Sequence, residues 1–288
     1  GAEVVLLGRS HRSVGGILPE PYETVYERHP DAAVVVNCTP VGMYPRLVGQ
    51  SPIDLHKLPR VEAVFDMVYN PARTALLQDA AELGIPAYNG LLMLVAQAKR
   101  ACELFLGEDL EDGLIDGIVA DIARETGNII LIGMPGSGKS TVGQALAEAL
   151  GRPFVDTDTL IAEEAGRSIP EIFSADGEEV FRAMETEAVK TAGMMSGAVI
   201  ATGGGVVTRD RNYRPLSQNG RIVFLHRDLD ILPVDGRPIS QNTSKADLYA
   251  KRLPLYNAFA DVTVENNGSV TETVGRILSA LGYDCETR

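Results

Sequence analysis

Short apolar, β-branched runs alternate along this chain with longer stretches in which apolar residues return every three or four positions. The runs at residues 4–7, 33–36 and 63–66 predict strands, and the periodicity over residues 74–83 and 91–106 predicts helices. Met93 and Leu94, inside the second of these, are expected to pack in a core. After residue 127 the alternation resumes, with strands expected at residues 129–132, 154–155, 199–200, 222–225 and 262–264. Helices are expected there at residues 140–150, 178–192 and 271–281. Strands alternating with helices build parallel sheets covered on both faces, an α/β fold. Ligands of such sheets sit beyond the carboxyl ends of the strands. Between the two series, residues 107–125 carry seven acids and one base. The expected organisation is a first domain at residues 1–107, an acidic linker at 108–127 and a second domain at 128–288.

Composition narrows the picture. A length of 288 residues suits two domains of roughly 150 residues. The 26 basic against 39 acidic residues leave a net charge of −13, which argues against non-specific nucleic-acid binding. Three cysteines without a C-x-x-C pair, and four histidines, argue against a disulfide framework or a zinc site. No apolar run reaches the ~20 residues of a membrane span, and no leader pattern is visible, so a reducing cytoplasm is the expected setting. The chain opens on Gly1 and runs at once into an apolar stretch, which suggests a longer parent with a missing N-terminal part.

The strongest chemical signal is Gly133-Met134-Pro135-Gly136-Ser137-Gly138-Lys139-Ser140, which fills every position of G-x-x-x-x-G-K-[ST] between an expected strand and an expected helix. Glycines let backbone N–H groups converge on phosphate oxygens, and the helix N-terminus favours an anion. Lys139 then reaches the β- and γ-phosphates, and the Ser140 hydroxyl suits Mg²⁺. The next strand ends in Asp156-Thr157-Asp158, two carboxylates expected on one side of an extended segment, serving either chemistry or capping. Arg182 and Glu185 share a helix face at i and i+3; alone, that spacing describes a surface ion pair. Gly203-Gly204-Gly205 after a strand describes either a flexible turn or a place where a ligand comes close.

Taken in order, these pieces resemble shikimate kinase from residue 128 to about residue 282. The likeness rests on residues 133–141, Asp156-Thr157-Asp158, the FRAMETE stretch at 181–187, ATGGG at 201–205, Arg237-Pro238 and KRLPLY at 251–256. The resemblance implies a P-loop kinase that transfers phosphate from MgATP to the 3-hydroxyl of shikimate. It implies that Gly136, Ser137, Gly138, Lys139, Ser140, Thr141 and Arg237 bind ATP, and that Ser140 and Asp156 hold Mg²⁺. Asp158 is implied as the base on the acceptor hydroxyl. Arg182, oriented by Glu185, and Arg252 are implied on the substrate carboxylate, with Gly203, Gly204 and Gly205 giving backbone contacts. Lys139, Asp158 and Arg237, the lid arginine, are the implied catalytic residues. The segments at residues 227–236 and 240–247 are shorter than usual for the family, so a smaller lid and weaker adenine contact are expected. The family's basic residue that packs on adenine has no clear counterpart, Arg227 being the nearest substitute.

In the first half, NCTPVGM at residues 37–43, VYNPARTALL at 68–77 and NGLLMLVAQA at 89–98 resemble the nucleotide-binding domain of shikimate dehydrogenase. This implies an incomplete Rossmann-like domain before the kinase. Arg9, Ser10 and Arg12 would meet an NADP 2′-phosphate, Thr39 and Met43 the nicotinamide, and Gln97 and Tyr69 the substrate. No G-x-G-x-x-G occurs in the sequence, so NADP binding is expected to be weak or absent and the remnant inactive alone. Rival readings are a kinase for another hydroxy acid such as gluconate, a nucleotide-binding scaffold without turnover, and a first domain kept for binding or self-association. The expected partners are the small molecules shikimate and ATP, with neither nucleic acid nor a membrane.

Overall fold

A computed structural model describes residues 2–10, 12–232 and 244–283. The chain divides into two compact units, Gly1–Asp121 and Ile122–Arg288.

The first unit contains one helical turn, α1 (Val25–Arg28), and three strands, β1 (Val34–Asn37), β2 (Ala63–Asp66) and β3 (Ala87–Asn89). The strands are parallel in the order β1-β2-β3, with Val36 beside Phe65 and Phe65 beside Tyr88. The period of two splits each strand between faces. Val64 of β2 packs with Leu55, Leu58 and Leu76, Leu77 and Ala80 of helix α2 (Ala75–Glu82). On the opposite face Val34, Val36, Phe65 and Tyr88 stay exposed, with the Phe65 and Tyr88 rings stacked 5.2 Å apart. The sheet is thus covered on one face, where cover on both was expected. Residues 4–7 form no strand; Leu7 makes only an isolated bridge to Glu20. The Leu6 carbonyl accepts from the Glu20 N–H at 2.8 Å, but no ladder extends this bridge among the described residues, and Val4 is exposed. Helix α3 (Leu91–Leu106) has the expected bounds, but it buries Leu91 and Val95 and leaves Met93 and Leu94 in solvent. Its stop is Gly107, at φ 71°.

Within the acidic stretch expected to link the domains, residues Gly113–Thr126 form helix α4. The second unit then builds a five-stranded parallel sheet in the order β5-β6-β4-β7-β8. Its strands are β4 (Asn128–Ile132), β5 (Phe154–Asp156), β6 (Val199–Ala201), β7 (Gly220–His226) and β8 (Val262–Glu265). All five residues of the central β4 are buried, the pattern of a strand covered on both faces. Ile130 and Ile132 join one core with Ile200, Ile222, Phe224 and Tyr256; Ile129 and Leu131 join another with Val142, Leu146 and Ile277. The helices are α5 (Lys139–Leu150), α6 (Thr157–Ala165), α7 (Ile169–Gly193), α8 (Tyr213–Ser217), α9 (Lys245–Phe259) and α10 (Val270–Ala280). Helix α7 begins nine residues before the expected start at 178, where Ser168 and Glu171 form a capping box. It is broken at Gly177, whose φ of 83° suits a residue without Cβ. Among the described residues no helix is long and apolar enough to cross a membrane.

Candidate functional site

The loop between β4 and α5 is the centre of the second unit. Gly133, Gly136 and Gly138 take φ values of 151°, 81° and 90°, which bend the backbone around the start of α5. Lys139 is buried in the first turn of that helix, and its Nζ donates to the carbonyls of Gly133 (2.9 Å) and Met134 (3.0 Å). Ser137 is buried and its Oγ has no hydrogen-bond partner. Ser140 and Thr141 are exposed at the helix start. The structure therefore places Gly136, Ser137, Gly138, Lys139, Ser140 and Thr141 on one turn at the N-terminus of α5, a geometry that can receive an anion.

The carboxylates stand differently from the expected extended pair. Asp156 closes β5, but Asp158 lies in the first turn of α6, not on a strand. Asp156 Oδ1 accepts from the Asp158 backbone N–H at 2.9 Å, so Asp156 caps α6. Its other oxygen accepts from Ser140 Oγ at 2.6 Å. One residue thus both caps α6 and holds the hydroxyl at the start of α5. Asp156, Asp158 and Glu171 line an open cleft of about 610 Å³.

Arg182 and Glu185 are not a surface pair. They are 3% and 0% exposed, and Arg182 Nη1 donates to Glu185 Oε2 at 2.8 Å. Glu178 adds contacts from Arg182 Nε at 3.3 Å and Nη2 at 3.2 Å. The break at Gly177 lets the second half of α7 start with Glu178. Burial pushes the Glu185 carboxyl above its ordinary pKa, against the pull of the Arg182 cation. Glu185 Oε1 has no hydrogen-bond partner.

The triple glycine is packed from three sides rather than a free turn. A Cβ on Gly203 would stand 2.8 Å from both Asp158 Oδ1 and Glu185 Oε1. One on Gly204 would stand 2.7 Å from Pro135, and one on Gly205 would strike the Arg182 guanidinium. The Gly204 carbonyl accepts from Arg252 Nη1 at 3.1 Å and from Tyr256 Oη at 2.6 Å. Arg252 and Tyr256 are one turn apart on α9, both buried. Burial pushes the Tyr256 hydroxyl up to about 12, so it stays a donor. Tyr256 had no role in the sequence reading; its signal was its i+4 spacing from Arg252 on one helix face. Asp158, Arg182, Glu185, Arg252 and the glycines therefore form one cluster. Arg237 lies outside the described residues.

His226 Nδ1 is 2.9 Å from Glu265 Oε2 and its Nε2 2.7 Å from Tyr249 Oη, so both ring nitrogens are engaged. In the first unit, Arg9, Ser10, Arg12, Met43, Tyr69 and Gln97 are exposed, while Thr39 donates to Asn37 Oδ1 at 2.7 Å. Asn37 and Thr74 both donate to the buried Asp66, a closed network that serves the ends of β1 and β2.

The family model for shikimate kinase matches residues 135–282. The shikimate kinase of Moorella thermoacetica is 41% identical over 161 residues, covering 52% of this chain and 91% of the relative. A solved structure of shikimate kinase from Acinetobacter baumannii in complex with shikimate is 34% identical, with a TM-score of 0.53, covering 58% of this chain and 99% of the other. A chorismate mutase/shikimate 5-dehydrogenase fusion protein from Clostridium acetobutylicum covers 37% of this chain at 34% identity, with a TM-score of 0.35.

Proposed function

The chain belongs to the shikimate kinase family, and from this we infer that it transfers the γ-phosphate of ATP to shikimate, at the 3-hydroxyl. The observation that carries the reading is the pair of buried arginines, Arg182 and Arg252, set at the triple glycine on the side of the phosphate loop where Asp158 stands. A small acid with ring hydroxyls matches that arrangement. Its carboxylate pairs with the planar guanidinium groups, and a hydroxyl faces Asp158. Asp158 takes the hydroxyl proton as the oxygen bonds to the γ-phosphorus and the bond to the β-phosphate oxygen breaks, releasing ADP. Lys139 leaves its two carbonyls to hold the β- and γ-phosphates.

The Ser140 hydroxyl and Asp156 carboxylate offer oxygen donors side by side, the donor type a hard divalent cation takes. We assign Mg²⁺ to them; when bound, it neutralises charge on the phosphate oxygens. Arg237, outside the described residues, keeps its proposed lid role from its place in the motif. Hydride transfer is no part of the proposal, because the residues expected to meet NADP form no built anion site among the described residues.

The test is ADP release from the full chain with MgATP and shikimate, with gluconate, or without acceptor. Release that requires shikimate supports the reading; equal release without acceptor, or with gluconate alone, overturns it.

Two further outcomes follow from the geometry. Arg182→Lys keeps the charge but loses the fork that spans Glu185 and Glu178. The KM for shikimate is expected to rise by roughly 10- to 150-fold, the worth of one charge-assisted contact, with the KM for ATP little changed. Gly203→Ala drives a methyl group against Asp158 and Glu185. Turnover is expected to fall on the order of 10²-fold, the effect of a small misplacement at the reacting centre. Thermal unfolding of each variant separates these losses from misfolding.

A further inference from the structure

Arg227 follows β7 directly and reaches the far side of the phosphate loop. Its Nη1 lies 3.7 Å from the point a Cβ on Gly138 would occupy. Its Nε is buried and donates to no acceptor. Among the described residues Arg227 has no ion-pair partner, whereas Arg182 is held by two carboxylates. That contrast matters in a chain with 39 acidic and 26 basic residues, where a carboxylate partner is easily supplied.

Charges of both signs stand nearby: Asp228 follows Arg227 in the chain, and Glu265 precedes Asn266 beside the loop. The N-terminus of α5 carries the positive end of the helix dipole, and the Lys139 ammonium stands in its first turn. The desolvated Nε–H of the Arg227 guanidinium lacks an acceptor. That cost is not relieved by a local rearrangement of the loop, which is pinned on this side. Asn266 Nδ2 donates to Ser137 O at 2.6 Å, and Asn266 is itself fixed by Thr273 Oγ1 at 2.7 Å. An anion with several oxygens on the loop would supply the missing acceptor and meet the Lys139 ammonium and the helix N-terminus together.

We propose that Arg227 is a binding residue for the nucleotide's polyphosphate, its guanidinium donating to phosphate oxygens that the loop already holds. The proposal rests on the kinase reading above and adds a cation that the G-x-x-x-x-G-K-[ST] motif does not contain. It also replaces the sequence-based expectation of an adenine-packing role for this residue.

The test uses the full chain and its Arg227→Ala and Arg227→Lys variants. Calorimetry reads ADP binding, and inhibition of turnover reads tripolyphosphate binding. Arg227→Ala is expected to weaken both ligands in the same proportion, by roughly 10- to 150-fold. Arg227→Lys should fall between Arg227→Ala and the unaltered chain. A merely structural arginine would lower the unfolding temperature when removed; here the temperature of the free protein should hold or rise, since a buried donor without an acceptor is lost. An ADP affinity within twofold of the unaltered chain in Arg227→Ala overturns the proposal. So does weaker ADP binding with unchanged tripolyphosphate inhibition, which would put the contact on the nucleoside. If the unaltered chain binds ADP but does not phosphorylate shikimate, the kinase reading falls and the Arg227 comparison still decides by calorimetry.

Discussion

Lys139→Ala is expected to lower kcat for shikimate phosphorylation by about 10³-fold or more. A loose phosphoryl-transfer transition state leaves the protein little to do except position groups and neutralise charge. Removing one preorganised donor costs on the order of 10²–10³-fold in comparable sites, and a full cation on the transferring group reaches higher. Lys139 is 7% exposed, and its stem leaves the first turn of α5 toward the loop interior. No other described lysine shares that loop. The carbonyls of Gly133 and Met134 lose their donor in the variant, at a cost of about 1 kcal/mol each. The unfolding temperature should therefore drop by a few degrees while the rate collapses. Steady-state rates with saturating ATP and shikimate, beside thermal unfolding, check this; a kcat within tenfold of the unaltered chain would contradict it.

Asp158→Asn should lower kcat by roughly 10²–10⁴-fold, the range a positioned base contributes, and leave the shikimate KM within a few-fold. Asparagine has nearly the same shape, so the packing of Asp158 against Gly203 survives. The backbone cap also survives, because it is the Asp158 N–H that Asp156 accepts. What is lost is the ability to accept the hydroxyl proton. An equal loss in KM, with kcat preserved, would mean that Asp158 only binds the acceptor.

Much of this arrangement could be read from the residues themselves. The phosphate loop is legible because its glycines and lysine are required at fixed spacing, and β4 because four apolar residues in a row, Ile129 to Ile132, describe a strand buried on both faces. Other features could not be read. An arginine and a glutamate at i and i+3 look the same on a wet helix and in a buried site, and only the chain packed around α7 excludes water from Arg182 and Glu185. Asp156 was legible as an acid after a strand, but the helix start at Thr157 turned Asp158 off the strand. The first half of α7 escaped because Asp176 and Gly177 interrupt its pattern, and the interruption is a real break in the backbone. Residues 4–7 have strand composition but no partner to complete a ladder among the described residues.

The triple glycine has a history written into its neighbours. Three identical residues in a row invite a single explanation, yet each is held by a different contact: Gly203 by two carboxylates, Gly204 by Pro135, Gly205 by the Arg182 guanidinium. As the sequence drifts, these constraints do not relax together. A change at Pro135 does not release Gly204, because the Pro135 backbone nitrogen, which any residue there keeps, also stands 2.9 Å from that Cβ point. Gly203 and Gly205 can be released only by giving up a charged group that the site uses. The middle glycine is thus tied to the backbone course of the phosphate loop, and the outer two to the charged groups packed against them.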